Sequence, residues 1–308
     1  MTHSVGLRQY KLLIQEKDSK VFVDPSSSVL QLDFPDFLTD FIAQNAIQQN
    51  EKEVERSWKF KEILADLPGC SRGWISYGVY GFASRLEDGK TGELNYARKR
   101  DDNEVIDLYY RYWLPEFENF VLVSFQSFSG RSCITLVLSA MQTLFEKKNP
   151  QHRLLYSKLL PSDATGKIYE GKPVKNLRLV SRKPTTDLAA RFFNNEDQKT
   201  SRMSVTINAG RGRSFGILSE MLQNLPPDSN SVITHNGIEF DEAIAGVEIG
   251  NKIRPIGVFG AHSDVGVVDV TEEIVKGDDD GHPTYESINK TADDILNGLY
   301  DSLHGTQS

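Results

Sequence analysis

Residues 105–128 read VIDLYYRYWLPEFENFVLVSFQSF, and this stretch decides the fold class. Val105–Leu114 and Phe120–Phe128 are both rich in aromatic and β-branched residues, and Trp74–Ala83 upstream has the same character. Runs of this kind, divided by Gly and charged turns, are typical of β-strands. We therefore predict that these three segments form one antiparallel sheet.

Directly after this stretch, the apolar residues recur with the period of a helix. Following Ser129 and Gly130, residues Arg131–Phe145 place apolar side chains on one face, which predicts an amphipathic helix. Apolar spacing and proline positions predict three further helices, one of which opens at Pro35. They cover Asp36–Ile47, a segment from about Ser214 that ends at Pro226 and Pro227, and Tyr285–Leu303.

The remaining apolar runs predict more strands and complete the fold class. Leu7–Ile14 and Val21–Val23 flank a turn and predict a hairpin. Glu51–Lys61 is charged, and we expect it to be exposed. Strands grouped together with only a few helices indicate an α+β fold with mainly antiparallel sheets. The other predicted strands are His152–Leu160, Val174–Ser181 and Ser204–Ile207, and a β-rich stretch spans Ile238–Val270.

The order of these elements suggests two domains. A chain of 308 residues is long enough for two on the usual length prior. We predict an N-terminal sheet and helix domain over residues 1–150, joined by the C-terminal helix at 284–304. A second, β-rich domain, first basic and then acidic, covers residues 151–283.

Composition excludes several classes of protein. The chain is 39% hydrophobic and 10% aromatic, which is enough to fill a core. No stretch approaches about 20 uninterrupted apolar residues, and the first thirty residues lack a secretion signal. Cys70 and Cys133 are the only two cysteines, and they fit neither a metal cluster nor a disulfide framework. These observations predict a globular cytoplasmic protein without membrane insertion.

The formal charge of −8 is distributed unevenly along the chain. From Lys147 to Arg213 there are fifteen Lys and Arg against five Asp and Glu, a balance of +10. From Ser214 to the end, seventeen acidic residues outnumber four basic ones. Such asymmetry indicates a charged face. Alternatively, the two segments neutralise one another within the fold or across a dimer.

The basic segment contains the most suggestive local motif. Gly210-Arg211-Gly212-Arg213-Ser214-Phe215-Gly216 lies between a predicted strand and a predicted helix, where amides and guanidinium groups can hold a phosphate. It matches neither the P-loop nor the dinucleotide fingerprint. As part of a wider basic surface it predicts salt-sensitive contacts to a phosphate backbone. The candidate nucleic-acid-binding residues are Lys172, Lys175, Arg178, Arg182, Lys183, Arg202, Arg211 and Arg213, and strand alternation places Lys172, Arg178 and Arg182 on one face.

Alternatives with an enzymatic centre rest on weaker patterns. His262, Asp264, the aspartates at 278–280 and His282 could converge on a magnesium-type site, although solvated turns explain them more simply. Asp241 and Glu242, with Glu248 and Lys252, have the residue types of a nuclease core but not its spacing. Neither cysteine lies in a nucleophile signature, and we expect Cys133 to be buried. We therefore predict no catalytic residue, metal or cofactor.

The order of features resembles that of the phage-exclusion protein RexA and, more distantly, of KwaB-like proteins of bacterial defence systems. The resemblance runs from Leu114 and Pro115 through the helix ending at Phe145, and then over Arg178–Ser181, Val205–Leu218 and Pro283–Leu303. It implies a cytoplasmic, dimeric DNA-binding protein of phage exclusion that acts with a partner protein. It supplies no catalytic residues, and no binding residue is transferred through it.

Taken together, the sequence predicts a non-enzymatic component of a bacterial anti-phage system that binds DNA without sequence specificity. The expected partners are the DNA phosphate backbone, a second copy of the chain and a partner defence protein. Two alternatives remain open. One is a metal-dependent nuclease or nucleotide-processing enzyme, and the other is a protein-interaction adaptor that binds no nucleic acid.

Overall fold

The computed structural model describes residues 3–63, 70–159, 169, 172–181, 203–225, 232–235, 238–250, 252–260, 265–277 and 281–303. The chain divides into two compact units. The N-terminal unit is Tyr10–Ser157, and the C-terminal unit is Met1–Gln9 together with Lys158–Ser308. The C-terminal helix therefore belongs to the unit that contains residues 158–308. The boundaries predicted from the sequence stay a prediction.

The elements follow one another in an order that confirms the α+β class, and the strand pairs are mainly antiparallel. The strands are β1 Val5–Glu16, β2 Phe22–Val23, β3 Gln49–Glu51, β4 Arg56–Ile63, β5 Cys70–Val79, β6 Ser84–Glu87, β7 Leu94–Arg98, β8 Glu104–Trp113, β9 Phe120–Phe128, β10 His152–Lys158, β11 Val174–Ser181, β12 Met203–Asn208, β13 Ile233–His235, β14 Ile238–Phe240, β15 Glu242–Ile249, β16 Lys252–Phe259 and β17 Val267–Asp269. The helices are α1 Phe34–Gln44, α2 Ile134–Lys148, α3 Leu218–Gln223 and α4 Tyr285–Leu303.

The N-terminal unit is organised around the three strands predicted at the outset. β5 pairs antiparallel with β8, and β8 pairs antiparallel with β9, which confirms that prediction. The predicted first hairpin is also present, because Ile14 of β1 lies opposite Val23 of β2. Every residue of β9 is buried, as expected for a central strand covered on both faces.

An aromatic core holds the two helices of this unit against its sheet. α1 begins at Phe34 with Pro35 in its first turn, and the Asp33 side chain caps it by accepting from the Asp36 amide. The aromatic rings of α1 meet Phe145 of α2, and Phe41 also meets Trp58 and Phe60 of β4. The predicted stripe is therefore buried from Phe37 to Ile42, but the helix ends at Gln44, and Ile47, which was predicted to belong to it, is exposed.

The expectation that Glu51–Lys61 is exposed was wrong for the part that forms β4, although residues 52–54 and Lys61 are exposed. This charged stretch contains β4, which pairs with β5, and both Trp58 and Phe60 are buried. Their charged neighbours alternate with them along the strand, so the apolar signal is only two residues long. The hairpin formed by β6 and β7 was not predicted either. It carries exposed apolar residues such as Leu86, and its alternation is therefore weak.

The sheet of the C-terminal unit runs in the order β12-β11-β15-β16-β17, followed by the first residues of β1. This confirms that Ile238–Val270 is rich in strands. α4 has the predicted bounds, and its apolar stripe of Ile288, Ala292, Ile295, Leu296 and Leu299 is buried. The helix contacts β15.

A close approach of two glycines fixes α4 at the turn between β15 and β16. A Cβ on Gly298 would lie 2.8 Å from the Gly250 Cα and closer still to its backbone nitrogen. We expect Gly298→Ala to lower the free energy of unfolding by about 1–3 kcal/mol, because steric overlap exceeds the gain of about 1 kcal/mol in helix propensity. Urea denaturation measures the change.

The matched control is Asn297→Ala, one residue earlier on the same helix at an exposed position. That substitution should leave stability unchanged or raise it slightly. A Gly298→Ala variant as stable as the Asn297→Ala variant would show that α4 shifts without cost.

No helix among the described residues is long and apolar enough to cross a membrane.

Candidate nucleic-acid interface

The candidate residues of the basic segment are held by the hairpin of β11 and β12. The two strands pair in regular antiparallel register, with Asn176 opposite Asn208 and Ser181 opposite Met203. β11 also pairs with β15 on its other side, with a bulge between Val174 and Asn176. The end of β12 therefore lies beside the start of β11. This register brings the Gly-Arg motif towards Lys172 and Lys175.

The motif itself begins with a tight turn. The Arg213 amide donates to the Gly210 carbonyl at 2.8 Å, and Gly212 has φ +71°. A positive φ at the third position of the turn, with Arg211 outside the left-handed region, is the geometry of a type II turn. A side chain at position 212 would be strained, so glycine is needed there. The turn leaves both arginine side chains exposed.

Backbone hydrogen bonds tie this loop to the residues around the start of β11. The Ala209 amide donates to the Lys175 carbonyl, and the Leu218 amide donates to the Lys172 carbonyl, both at 2.9 Å. Between them, Val174 exchanges hydrogen bonds with Phe215 and Gly216. The loop is thus fixed against the β11 edge by backbone contacts. We call Lys172, Lys175, Arg211 and Arg213 the basic edge.

A helix was predicted from about Ser214, and this predicted first residue was wrong. Residues 215–217 lie alongside 172–174, and α3 begins only at Leu218. It has six residues, and no side chain caps its first turn. The hydrogen bonds to Val174 occupy the backbone that a longer helix would use. The phosphate cradle expected at a helix N-terminus is therefore not formed, and the basic edge has side-chain cations instead.

The cations of the basic edge are not neutralised by carboxylates of the described residues. Arg211 and Arg213 are exposed, and Lys172 and Lys175 are half-buried. In the part of the chain that the structure describes, none of the four forms an ion pair with a carboxylate. The Lys175 Nζ donates to the Arg213 carbonyl at 3.5 Å. Four positive charges on one edge, without an acidic partner among the described residues, favour an anionic ligand.

The other candidates are placed differently. Arg178 lies in the middle of β11, opposite Thr206. It lines a groove and does not belong to the exposed loop. Lys172 precedes the strand, so the predicted sharing of one strand face with Arg178 does not apply to it. Arg182, Lys183 and Arg202 lie outside the described residues. Sequence spacing alone could not show that Lys175 and Arg213, 38 positions apart, lie side by side.

The residues considered for a nuclease core are spread along the sheet. Glu242 is buried at the start of β15, whereas Glu248 is exposed six residues further on. At about 3.3 Å per residue they are about 20 Å apart, too far to share one metal ion. Lys252 donates to Glu273. Among the residues described, no cluster of three or more His, Cys, Asp or Glu could hold a metal.

The histidine and aspartate candidates give no site that can be described. His262, Asp264 and residues 278–280 lie outside the described part of the chain. Both cysteines are free, and burial raises the pKa of the Cys133 thiol to about 12. Its predicted burial is confirmed. Burial also raises the pKa of Cys70, although Arg111 opposes the shift. Because the thiolate is the reactive form, neither thiol is activated as a nucleophile.

Part of the acidic C-terminal segment is neutralised by bases of that same segment. Glu273 accepts from the buried Arg254 through both oxygens, at 2.9 Å from Nε and 3.0 Å from Nη2, and also from Lys252 at 2.9 Å. Burial raises the pKa of Glu273, but these hydrogen bonds outweigh it and hold the pKa below its usual range. Asp294 of α4 lies 3.7 Å from the same guanidinium. These carboxylates are thus matched to Lys252 and Arg254.

Comparison with models of protein families gives no match to this chain. Comparison with curated proteins also finds none that is similar to it.

Proposed function

We propose that this chain is a non-enzymatic DNA-binding component of a bacterial anti-phage system and that it contacts the phosphate backbone without sequence preference. The observation that carries the proposal is the basic edge, four cations gathered by backbone hydrogen bonds and left without an acidic partner among the described residues. Lys and Arg bound to phosphates release counterions, which stabilises the complex on any sequence.

The anti-phage role, the cytoplasmic location, the homodimer and the partner defence protein belong to the same proposal. They are supported by the resemblance to RexA and KwaB-like proteins in the order of strands and helices. The basic edge supports only the DNA contact. Tests of the DNA contact and of the phage response are therefore separate experiments.

The first test reverses the two exposed arginines of the loop. Arg211→Glu/Arg213→Glu should weaken binding to a fluorescent duplex about 100-fold, because each lost charged contact costs about 1.5 kcal/mol and 1.4 kcal/mol is tenfold. The slope of log K against log salt should flatten by about 1.8, since each phosphate contact contributes about 0.9. Fluorescence anisotropy over a salt series measures both quantities.

The matched control is Arg85→Glu/Lys90→Glu, which changes the net charge by the same amount. Both residues are exposed on the N-terminal unit and form no ion pair with a described carboxylate. This control should lower affinity only slightly, through its effect on the overall field. If the two double variants lost DNA affinity equally, the effect of the basic edge would be one of net charge alone. That result would overturn the assignment.

Two further measurements distinguish the proposal from an enzyme and from a protein-interaction adaptor. Cleavage of the duplex when magnesium is added would support the enzyme instead, and intact DNA agrees with the proposal. Absence of any binding at low salt would contradict the proposal and favour the protein-interaction adaptor.

A further inference from the structure

A groove of about 600 Å³ lies on the sheet of the C-terminal unit, apart from the basic edge. Cavities of about 300–1,000 Å³ are typical of small-molecule sites. Six segments of the chain converge on the groove, namely the residue preceding β1, the strands β11, β12, β16 and β17, and the turn that follows β17. The lining residues are Ser4, Arg178, Ser204, Ile253, Pro255, Asp269, Thr271, Glu272 and Glu273.

Among the described residues of this lining, Arg178 is the one basic side chain, and it has no partner within the described chain. Its Nε is buried, and within the described chain it meets no hydrogen-bond acceptor and no carboxylate. A buried donor without an acceptor destabilises the fold, because it has lost its hydrogen bonds to water. The planar guanidinium is suited to a phosphate or a carboxylate, which it binds through two parallel hydrogen bonds. An anionic group of a ligand would satisfy this donor.

Two of the three acidic residues are already engaged. Glu273 is held by Arg254 and Lys252, and Asp269 accepts from the amide and the hydroxyl of Thr271 through Oδ1. Glu272 is exposed and forms no ion pair with another described residue. Its carboxylate and the second oxygen of Asp269 are therefore available to accept hydrogen bonds. Hydroxyl groups of a sugar are donors that match them.

The third kind of surface in the groove is apolar. Ile253 and Pro255 lie two positions apart on β16, so their side chains share one face of the strand. Ile253 is 51% exposed. Apolar side chains exposed in this way can cover one side of a nucleobase. Phosphate, sugar and base contacts are thus offered around one cavity.

We infer that this groove binds a nucleoside monophosphate group, with its phosphate on Arg178, its sugar hydroxyls on Glu272 and Asp269, and its base against Ile253 and Pro255. The same chemistry is found in a free nucleotide and in the 5′-phosphorylated end of a nucleic-acid strand. The inference goes beyond the proposed function, because it uses none of the four residues of the basic edge. Its test is therefore independent of binding to the DNA phosphate backbone.

Isothermal titration of the full chain tests this with AMP, adenosine and inorganic phosphate as probes. AMP should bind at least tenfold more tightly than adenosine or phosphate alone. Arg178→Met should weaken AMP binding about 10- to 100-fold, the loss expected for a charged hydrogen bond. The Arg211→Glu/Arg213→Glu variant should retain AMP affinity within about twofold.

The melting temperature of Arg178→Met shows whether a loss of AMP binding is due to misfolding. Arg178→Met removes a buried donor without a partner, so the variant should melt at or above the temperature of the natural chain. No binding of AMP at millimolar concentration, or AMP binding unchanged in a folded Arg178→Met variant, would overturn the inference. Oligonucleotides with a 5′-phosphate or a 5′-hydroxyl distinguish the sources. Displacement of AMP by the 5′-phosphate form alone identifies a strand end, and displacement by neither identifies a free nucleotide.

Discussion

Glu273→Gln is expected to lower the free energy of unfolding by about 3 kcal/mol, because it leaves the guanidinium of Arg254 buried without its main counterion. Arg254 is completely buried, and Glu273 binds it through both carboxylate oxygens. Removal of one partner from a buried ion pair costs about 3–5 kcal/mol. The lower end applies here, since Glu273 is 17% exposed and Asp294 remains 3.7 Å from Arg254. Urea denaturation at neutral pH measures the loss.

The control for this prediction is Lys252→Ala, which removes only the exposed partner of Glu273. The Lys252 side chain is 55% exposed, and pairs of this kind contribute about 1 kcal/mol or less. The double variant Arg254→Met/Glu273→Leu removes both buried charges and should be more stable than Glu273→Gln. A Glu273→Gln effect no larger than that of Lys252→Ala would refute a structural role for the pair.

The same carboxylate predicts a pH dependence of stability. Because the pKa of Glu273 is lower in the folded chain than in the unfolded chain, its contribution is complete above the unfolded value of about 4.5. It is lost as pH falls through the folded pKa. The difference in unfolding free energy between the natural chain and Glu273→Gln should therefore shrink below pH 4.5. A difference that stays constant over this range would contradict the lowered pKa.

Phe37→Ala is expected to cost about 3–5 kcal/mol, the largest effect predicted for a single core residue. Phe37 is fully buried in α1 and lies edge-on to Phe145 of α2, with ring centroids 5.0 Å apart. Its ring also meets Phe34 and Phe41. Truncation leaves a cavity where the two helices meet the sheet. Chemical denaturation followed by tryptophan fluorescence measures the loss.

Phe117 provides a control of the same residue type. It is 99% exposed in the turn between β8 and β9, so Phe117→Ala removes no buried area and should change stability by less than about 0.5 kcal/mol. Its φ of +62° is unfavourable for either side chain. Similar effects of the two substitutions would show that α1 does not depend on its aromatic face.

Short-range patterns were sufficient for most of the secondary structure. β5, β8 and β9 were predicted because aromatic and β-branched residues are concentrated over eight or more positions in each, and α4 because its apolar stripe repeats the helical period. β4 was missed because, among its described side chains, Trp58 and Phe60 are the only large apolar ones on its buried face, which is too short a pattern to predict a strand. The length of α3 was missed because residues 215–217 pair with β11, and that competition is not visible in local spacing.

The sequence by itself determined the α+β class and the concentration of positive charge between Lys147 and Arg213, since both follow from residue type and local period. Only the tertiary structure decided which cations lie close together. The register of β11 and β12 joins Lys175 to Arg213 and leaves Arg178 in a groove with Glu272 and Asp269. Strand pairing connects residues distant along the chain, and local propensity carries no information about which partner is chosen.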